Sequence, residues 1–463
     1  MFIRVYPWLY LLEEFTLFKK ILVANRGEIA LQIIRACKEL GIATIAVYSL
    51  SDKDSLPVKY ADEAVCIGPA DSSNSYLHLP HIISAAEITG AEAIHPGYGF
   101  LAENVHFVEV CEECGIKFIG PPAVTMRQLT NKWEAKQVMK KAGLPILPSN
   151  EHRITKLEEA LKIAREIGYP LLIKAVAGGG GKGMRLAAKE EGLETSFIMA
   201  QREAQAAFDN PEIYLEKYIE QARHIEFQVF ADQWGNVLHL GERECTIQRR
   251  YQKILEETPS PAIDKELRRE MGRMAIKAAK ATNYVNAGTI EFLLDKGGNY
   301  YFIEMNTRIQ VEHPITEVVT HMNLIKEQIR IAAGEPLSRQ QKEIKQLGHA
   351  IECRIYAEDP DTFAPSPGNL TVLHLPGGHG VRVDSAAHAD YAITSYYDPL
   401  IAKVIAHGQE RAEAIAKMVR ALEEFTIEGV KTSIPLHLKI LRDKDFVQGQ
   451  FYTDFLDRFI PQK

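Results

Sequence analysis

Long apolar stretches are missing from this 463-residue sequence. A membrane-crossing helix takes about 20 consecutive apolar residues. The richest candidate, MFIRVYPWLYLLEEF at the start, is broken by Pro7 and by Glu13–Glu14. It also has no small-residue cleavage site of the kind a secretory signal carries. Residues 1–16 therefore read as an extension ahead of the first folded unit, and the protein as cytoplasmic. Charge of one sign is scarce too: a net charge of −7 gives no electrostatic footing for nucleic acid or an anionic membrane. The six cysteines are scattered, and only Cys111 and Cys114 form a CxxC. With no second pair to complete a zinc site, they read as one helix face in a reduced protein. Two phosphate-binding signatures are absent. The turn Ala24-Asn25-Arg26-Gly27-Glu28 is not GxGxxG, which removes the main support for a dinucleotide cofactor. The glycine run later in the chain has Gly183 where a Walker A loop needs Ser or Thr.

What is present suits a soluble globular protein of two to four domains, with 46% hydrophobic and 25% charged residues. Short apolar runs at Ile21–Ala24, Ala43–Tyr48, Ala64–Gly68, Ala91–His95 and Lys117–Gly120 alternate with helical segments such as Glu28–Leu40. That alternation predicts a parallel sheet with helices on both faces. The stretch HPGYGFLAEN (His95–Asn104) follows the end of one strand, where such sheets put their ligands. A purely structural turn explains it equally well. One helix is expected over Val124–Ala142, carrying Lys132. A second unit then brings a strand ending in Lys174 and the loop Ala177-Gly178-Gly179-Gly180-Gly181-Lys182-Gly183-Met184. Successive glycines expose backbone N–H groups and leave no side chain in the way, which is a phosphate-wrapping device. The strand-like run Ile213–Tyr218 has an edge able to read a purine through backbone groups. The strand His224–Phe230 puts His224, Glu226 and Gln228 on one face. Taken singly, each of these three is more often part of a solvated face. A third unit opens near Gly348 with an alternating strand in which Arg354 is expected on the face of His349. Two late helices, Arg411–Phe425 and Thr432–Leu441, complete an α+β cap.

The chain is organised around EFLLDKGGNYYFIEMNTRIQVEHPITE, Glu291–Glu317. Gly297-Gly298 between two strand-forming runs predicts a tight primed hairpin turn. Pairing outward sets Lys296 opposite Asn299, Asp295 opposite Tyr300 and Glu291 opposite Glu304. Asn306 lies on the face of Glu304. Two opposed carboxylates repel, and an all-oxygen set with Asn306 suits Mg²⁺. Arg308, Gln310 and Glu312 follow at the same spacing and add a fixed cation, an amide and a third carboxylate. A metal beside a guanidinium and a free carboxylate is what phosphoryl chemistry on a small anion requires.

ANRGEIA, HPGYGFLAEN, GGGGKGM, EMNTRIQVEHPITE and GHAIECRI together resemble the biotin carboxylase family of ATP-grasp enzymes, in the family's order, from about Phe18 to the end. The resemblance implies an ATP-grasp fold with an N-terminal parallel-sheet, Rossmann-like domain (17–130). It also implies an ATP-grasp domain (131–348) with a mobile lid (146–219), and a C-terminal biotin carboxylase domain (349–463). It implies ATP, Mg²⁺ or Mn²⁺, and biotin as a carrier-bound substrate. Lys132, Lys174 and the Gly178–Gly183 backbone with Lys182 would hold ATP phosphates. Glu216, Lys217 and Ile219 would frame the adenine, and His224 and Gln248 would contact the nucleotide. Glu291, Glu304 and Asn306 would bind the metal. Arg308, Gln310, the Val311 backbone and Lys253 would hold bicarbonate, with Glu312 as its general base. The resulting carboxyphosphate would break down to CO₂ and phosphate, and the phosphate would deprotonate the biotin ureido nitrogen. Arg354 would stabilise the ureido oxygen, and Tyr98 would lie near biotin.

One position departs from the pattern: Tyr251 stands where the family often has histidine. A phenol does not titrate near neutral pH, so altered nucleotide contacts are expected rather than lost activity. No Met-Lys-Met biotinylation context occurs. The expected partner is therefore a separate biotin carboxyl carrier protein or biotinylated carboxyltransferase subunit, with a homodimer implied by resemblance. Two rivals remain in view. Against an ATP-grasp ligase for another small substrate stand Arg354 and HPGYGF. Against a non-catalytic nucleotide-binding protein stands the intact set Glu291, Glu304, Asn306, Arg308 and Glu312.

Overall fold

A computed structural model describes residues 16–150, 152–176 and 184–459. The expectations for the N-terminal extension (residues 1–15) and for the loop Gly178–Gly183 with Lys182 fall outside these residues. Among the described residues no helix is long and apolar enough to cross a membrane.

The first unit is the expected parallel sheet. Its order is Glu63–Gly68, Ala43–Ser49, Lys20–Val23, Ala93–His95, Lys117–Phe118, all neighbours parallel. The order reverses between Lys20–Val23 and Ala93–His95, and a ligand crevice opens at the C-terminal ends of such a pair. Here the turns ANRG and HPGYG meet. Asn25 Nδ2 donates to Pro96 O and to Tyr98 O, both at 2.7 Å. Gly97 has φ +62°, and a Cβ there would come within 3.0 Å of Asn25 Nδ2 and 3.1 Å of Ile29 Cγ1. HPGYGFLAEN is thus a tied structural turn that presents Tyr98, Phe100 and Glu103 to the crevice. Six cysteines stay free, with Cys111 buried and Cys114 exposed.

A three-stranded antiparallel sheet follows: Arg185–Ala187, Leu171–Ala175, Ile213–Lys217. The helix expected across Val124–Ala142 is two helices, Ala123–Thr130 and Lys132–Lys141. Asn131 takes extended backbone (ψ 102°) and accepts from Glu134 N, capping the second helix. The break puts Lys132 at the first position of that helix.

The rest of the molecule hangs on one eight-stranded antiparallel sheet. Its order is Tyr300–Asn306, Asn286–Leu294, Arg223–Ala231, Val237–Arg249, Gln252–Thr258, His349–Tyr356, Leu400–Gly408, Val381–Ser385. The sheet crosses the expected boundary near residue 348, because Gln252–Thr258 pairs directly with His349–Tyr356. Its strands are buried on both faces, with helices Lys265–Ala281 and Arg411–Glu424 packed against them.

Two expectations on this sheet are corrected. Glu291 does pair with Glu304, but Leu294 pairs with Tyr300 and Phe292 with Phe302, one step off the expected register. The turn is a three-residue loop, Lys296-Gly297-Gly298, in which only Gly298 has positive φ (+83°) and Asp295 N donates to Asn299 O. That is a type I turn closed by a left-handed glycine, not a primed two-residue turn. A bulge between Phe292 and Glu291 then restores the carboxylate pairing. Arg354 is also not on the face of His349. His349 lies 2.7 Å from Glu257, while Arg354 shares its face with Glu352, as the two-residue period requires.

Candidate active site

A cleft of about 1490 Å³ opens between the N-terminal turns, the three-stranded sheet and the large sheet. Every described candidate residue lines it except Glu216. Glu216 is buried and bonds to Lys136 and Lys174. Burial alone would raise this carboxyl, but Lys174 and Lys136 outweigh it and hold it at about 2. The Glu216 side chain therefore fixes Lys174 from beneath. Lys217 is likewise tied, donating to Gly168 O and Tyr169 O at 2.9 and 2.6 Å.

The paired strands deliver the acidic wall. Lys132 Nζ lies 2.7 Å from Glu304. Glu291 accepts from Lys253 (3.0 Å), Asn306 Nδ2 (2.8 Å) and Gln310 Nε2 (3.1 Å), with His224 Nε2 at 3.0 Å from its other oxygen. Gln248 Nε2 and His224 Nδ1 are 3.0 Å apart. Glu291 and Glu304 are carboxylates in cross-strand register, each already matched by an ammonium group. This oxygen-rich donor set, with the Asn306 amide beside it, fits a hard divalent cation. His224, Glu226 and Glu291 also converge closely enough to hold an ion, but a ring nitrogen in that set suits Mg²⁺ less well.

Lys253 is the hub. Its Nζ bonds Glu226 (2.5 Å), Glu291 (3.0 Å) and Glu312 (2.7 Å). Burial would lower its pKa, but these three carboxylates raise it well above the usual lysine range. Glu312 is buried between Lys253 and Arg354, whose Nη2 donates to it at 2.8 Å. Burial pulls its pKa up; Lys253, Arg354 and Arg243 overcome this and hold it well below the usual carboxylate range. Arg308 donates to Glu103 (3.0 Å), Gln310 Oε1 (2.7 Å) and Asn306 Oδ1 (3.3 Å).

Five functional supports escape the sequence reading. Glu226 and Arg243 are fully buried and paired at 2.5 Å behind Lys253. The signal for Glu226 is its place on the face of His224, two residues away. Glu103 reaches Arg308 and the Thr307 backbone across 204–205 residues of sequence. Lys403 is fully buried, bonded to Glu28 (2.9 Å) and to Val311 O (2.9 Å), and Glu28 accepts from Tyr98. Glu28 is visible within ANRGEIA, but nothing local announces its partners.

Tyr251 is 60% exposed at the tip of the hairpin joining Val237–Arg249 to Gln252–Thr258. Arg250 and Tyr251 have φ +48° and +68°, a primed turn built without glycine. Arg249 anchors it, donating to both oxygens of Glu358 at 2.5 and 3.0 Å.

Comparison with known proteins gives three adjoining family matches. Residues 17–126 match the biotin carboxylase N-terminal domain, 131–340 the ATP binding domain of the carbamoyl-phosphate synthase L chain, and 352–458 the biotin carboxylase C-terminal domain. The chain is 57% identical over 445 residues to biotin carboxylase 1 of Bacillus subtilis, covering 96% of this chain and 99% of that one. It is 54% identical over 444 residues to a pyruvate carboxylase subunit of Methanothermobacter thermautotrophicus, covering 96% and 90%. Among solved structures, the Campylobacter jejuni biotin carboxylase complex with β,γ-ATP superposes with TM-score 0.94 at 50% identity, covering 95% and 99%. The biotin carboxylase domain dimer of Hydrogenobacter thermophilus 2-oxoglutarate carboxylase, with MgADP, ADP and bicarbonate, gives 0.93 at 51%, covering 97% and 100%.

Proposed function

The chain belongs to the biotin carboxylase family of ATP-grasp enzymes, and from that premise we propose how its own residues divide the reaction. The enzyme is a ligase. It carboxylates biotin with bicarbonate at the expense of ATP, through carboxyphosphate, giving carboxybiotin, ADP and phosphate. Lys132 and Lys174 hold ATP phosphates, a role the resemblance extends to Gly178–Gly183 and Lys182. Glu216, through its backbone, with Lys217 and Ile219 frames the adenine; His224 and Gln248 reach the nucleotide. Glu291, Glu304 and Asn306 would hold Mg²⁺, which would supply charge neutralisation for phosphoryl transfer. Arg308, Gln310, the Val311 backbone and Lys253 hold bicarbonate, and Glu312 takes its proton as the oxygen attacks the γ-phosphate. The freed phosphate accepts the ureido N–H proton, and Arg354 stabilises the ureido oxygen with Tyr98 nearby.

The observation that carries this division is Glu312 held between Lys253 and Arg354. One carboxylate touches the cation of the bicarbonate side and the cation of the biotin side. The test is ADP release by the purified chain with Mg²⁺ and bicarbonate, with and without free biotin. Stimulation by biotin supports the reading. ATP turnover indifferent to biotin but raised by another small acid or amine refutes it.

The family relationship also implies a biotinylated partner. We assign that role to a biotin carboxyl carrier protein or a biotinylated carboxyltransferase subunit, with this chain acting as a homodimer in the cytoplasm. The working units are 17–130, 131–348 with the lid at 146–219, and 349–463. A further expectation concerns Lys174. Glu216→Gln removes the charge that fixes it, and charge-assisted bonds of this kind contribute about 1.5–3 kcal/mol. KM for ATP should rise roughly tenfold or more with little change in kcat. An unchanged KM would show that Lys174 does not depend on Glu216.

A further inference from the structure

Behind Arg354 lie two acids that the scheme above does not use. Glu256 and Glu352 face each other across neighbouring strands in direct register. Both are fully buried. Among the described residues, none of their four carboxylate oxygens receives an aligned hydrogen bond. Arg354 Nη2 lies 2.5 Å from Glu256 Oε1 as an ion pair, and 2.8 Å from Glu312 Oε2.

The surrounding charges leave no room for two more anions. Arg243, Lys253 and Arg354 are three cations, and Glu226, Glu291 and Glu312 are three carboxylates that match them. Lys403, directly opposite Arg354 on the next strand, is already neutralised by Glu28. Ionising both Glu256 and Glu352 would place two uncompensated charges in the protein interior, and opposed buried carboxylates avoid this by keeping a proton.

We propose that Glu256 and Glu352 form a proton-holding carboxyl pair that positions Arg354 for the biotin ureido oxygen. The proposal rests on the biotin carboxylase reading given above. With one proton on the pair, Arg354 is held by a single negative charge and can turn toward an incoming oxygen. When the pair loses that proton, its charge doubles and Arg354 is drawn back against Glu256. Burial, the largest effect, pushes Glu256 up to about 7 in spite of Arg354. Burial also pushes Glu352 well above the carboxylate range, with Lys403 opposing and Glu256 adding. Glu256 therefore ionises around neutral pH, and Glu352 keeps the pair's remaining proton until pH rises further. The titratable and charged groups around the pair are Arg354, Cys353 and Tyr356 on the strand of Glu352, Lys253 on the strand of Glu256, Cys245 on Val237–Arg249, and Lys403 on the adjoining strand. Glu312 faces it from before the helix His313–Thr320, and Tyr98 from the N-terminal turn.

Glu352→Gln keeps the shape and deletes the second ionisation, and Glu256→Gln keeps an acceptor oxygen but deletes the charge that pairs with Arg354. Two measurements decide. In the full chain, infrared difference spectra between neutral and alkaline pH should show a protonated-carboxyl C=O band lost as pH rises, and Glu352→Gln should lack it. In biotin-dependent ADP release, KM for biotin in the wild type should rise on the alkaline side by about tenfold, the effect of one charge-assisted contact. Glu352→Gln should flatten that dependence. Glu256→Gln should raise KM for biotin by about tenfold at all pH while shifting KM for ATP far less. The absence of a pH-dependent carboxyl band in the wild type overturns the proposal, whatever the substrate. So does an alkaline profile of Glu352→Gln identical to that of the wild type. A wild type without biotin stimulation would refute the functional reading instead, and the infrared band would still decide whether the pair holds a proton.

Discussion

Glu312→Gln should lower biotin-stimulated ADP release by a factor on the order of 10³ while ATP still binds, the range seen when a general base is removed. The amide keeps the volume and one acceptor oxygen for Lys253 or Arg354, so folding is not at risk. What disappears is, among the described residues, the only buried carboxylate bonded at once to both cations. Its depressed pKa leaves it ionised at every working pH, ready to take a proton but weakly basic as held. An incoming bicarbonate competes for Lys253, and a biotin oxygen competes for Arg354. Each partner drawn away returns basicity to Glu312. Single-turnover ADP formation, with calorimetric ATP binding as the control, reads the effect. A variant that keeps more than about a tenth of the wild-type rate would be inconsistent with a general base, whose removal costs at least about 10².

Lys253→Met is expected to be the most damaging change for the fold of the site. It leaves Glu226, Glu291 and Glu312 without their common cation, and breaking a buried ion pair from one side costs about 3–5 kcal/mol. Activity should fall at least as far as in Glu312→Gln, because the bicarbonate contact goes too. The pH dependence has a definite sign. Glu291 and Glu312 are held below the usual carboxylate range; burial opposes this and Lys253 is the foremost lowering partner of each. The stability they contribute is present above the ordinary carboxylate pKa and is lost as pH falls through their depressed values. Without Lys253 that contribution is gone. The stability gap between variant and wild type should therefore be widest at neutral pH and narrow on acidification. Urea unfolding at neutral and acidic pH measures it, and a gap independent of pH would mean that Lys253 acts by packing alone.

Local spacing carries the parallel sheet and the paired strands of Glu291 and Glu304, while most other cleft residues are legible only through the resemblance of their motifs to a family. Glu291 opposite Glu304 is instructive, since two departures from the expected hairpin cancel. The turn holds three residues instead of two, and a bulge one step before Glu291 takes up the difference. Neither leaves a mark in residue type beyond the Gly297-Gly298 pair. The expected face of Arg354 rests on a miscounted alternation, and that hides its company with Glu352 and Glu256. The break at Asn131 is readable as an N-cap followed three residues later by Glu134, but the helical pattern runs on through it. Glu103, Glu28 and Lys403 are out of reach for a different reason. Their roles arise from contacts between distant units, which periodicity does not encode.

Lys253 and Glu291 touch at 3.0 Å although two whole strands lie between theirs. Three strand spacings in a flat sheet come to about 14 Å, more than the two side chains can bridge. The sheet must therefore curl, and the register breaks along Val237–Arg249 show where it bends. The floor of the reaction site is thus a trough folded from backbone, with its walls fixed before any substrate arrives. A labile mixed anhydride formed there would meet buried side chains such as Glu226 and Glu312 on the floor side, where no solvent reaches.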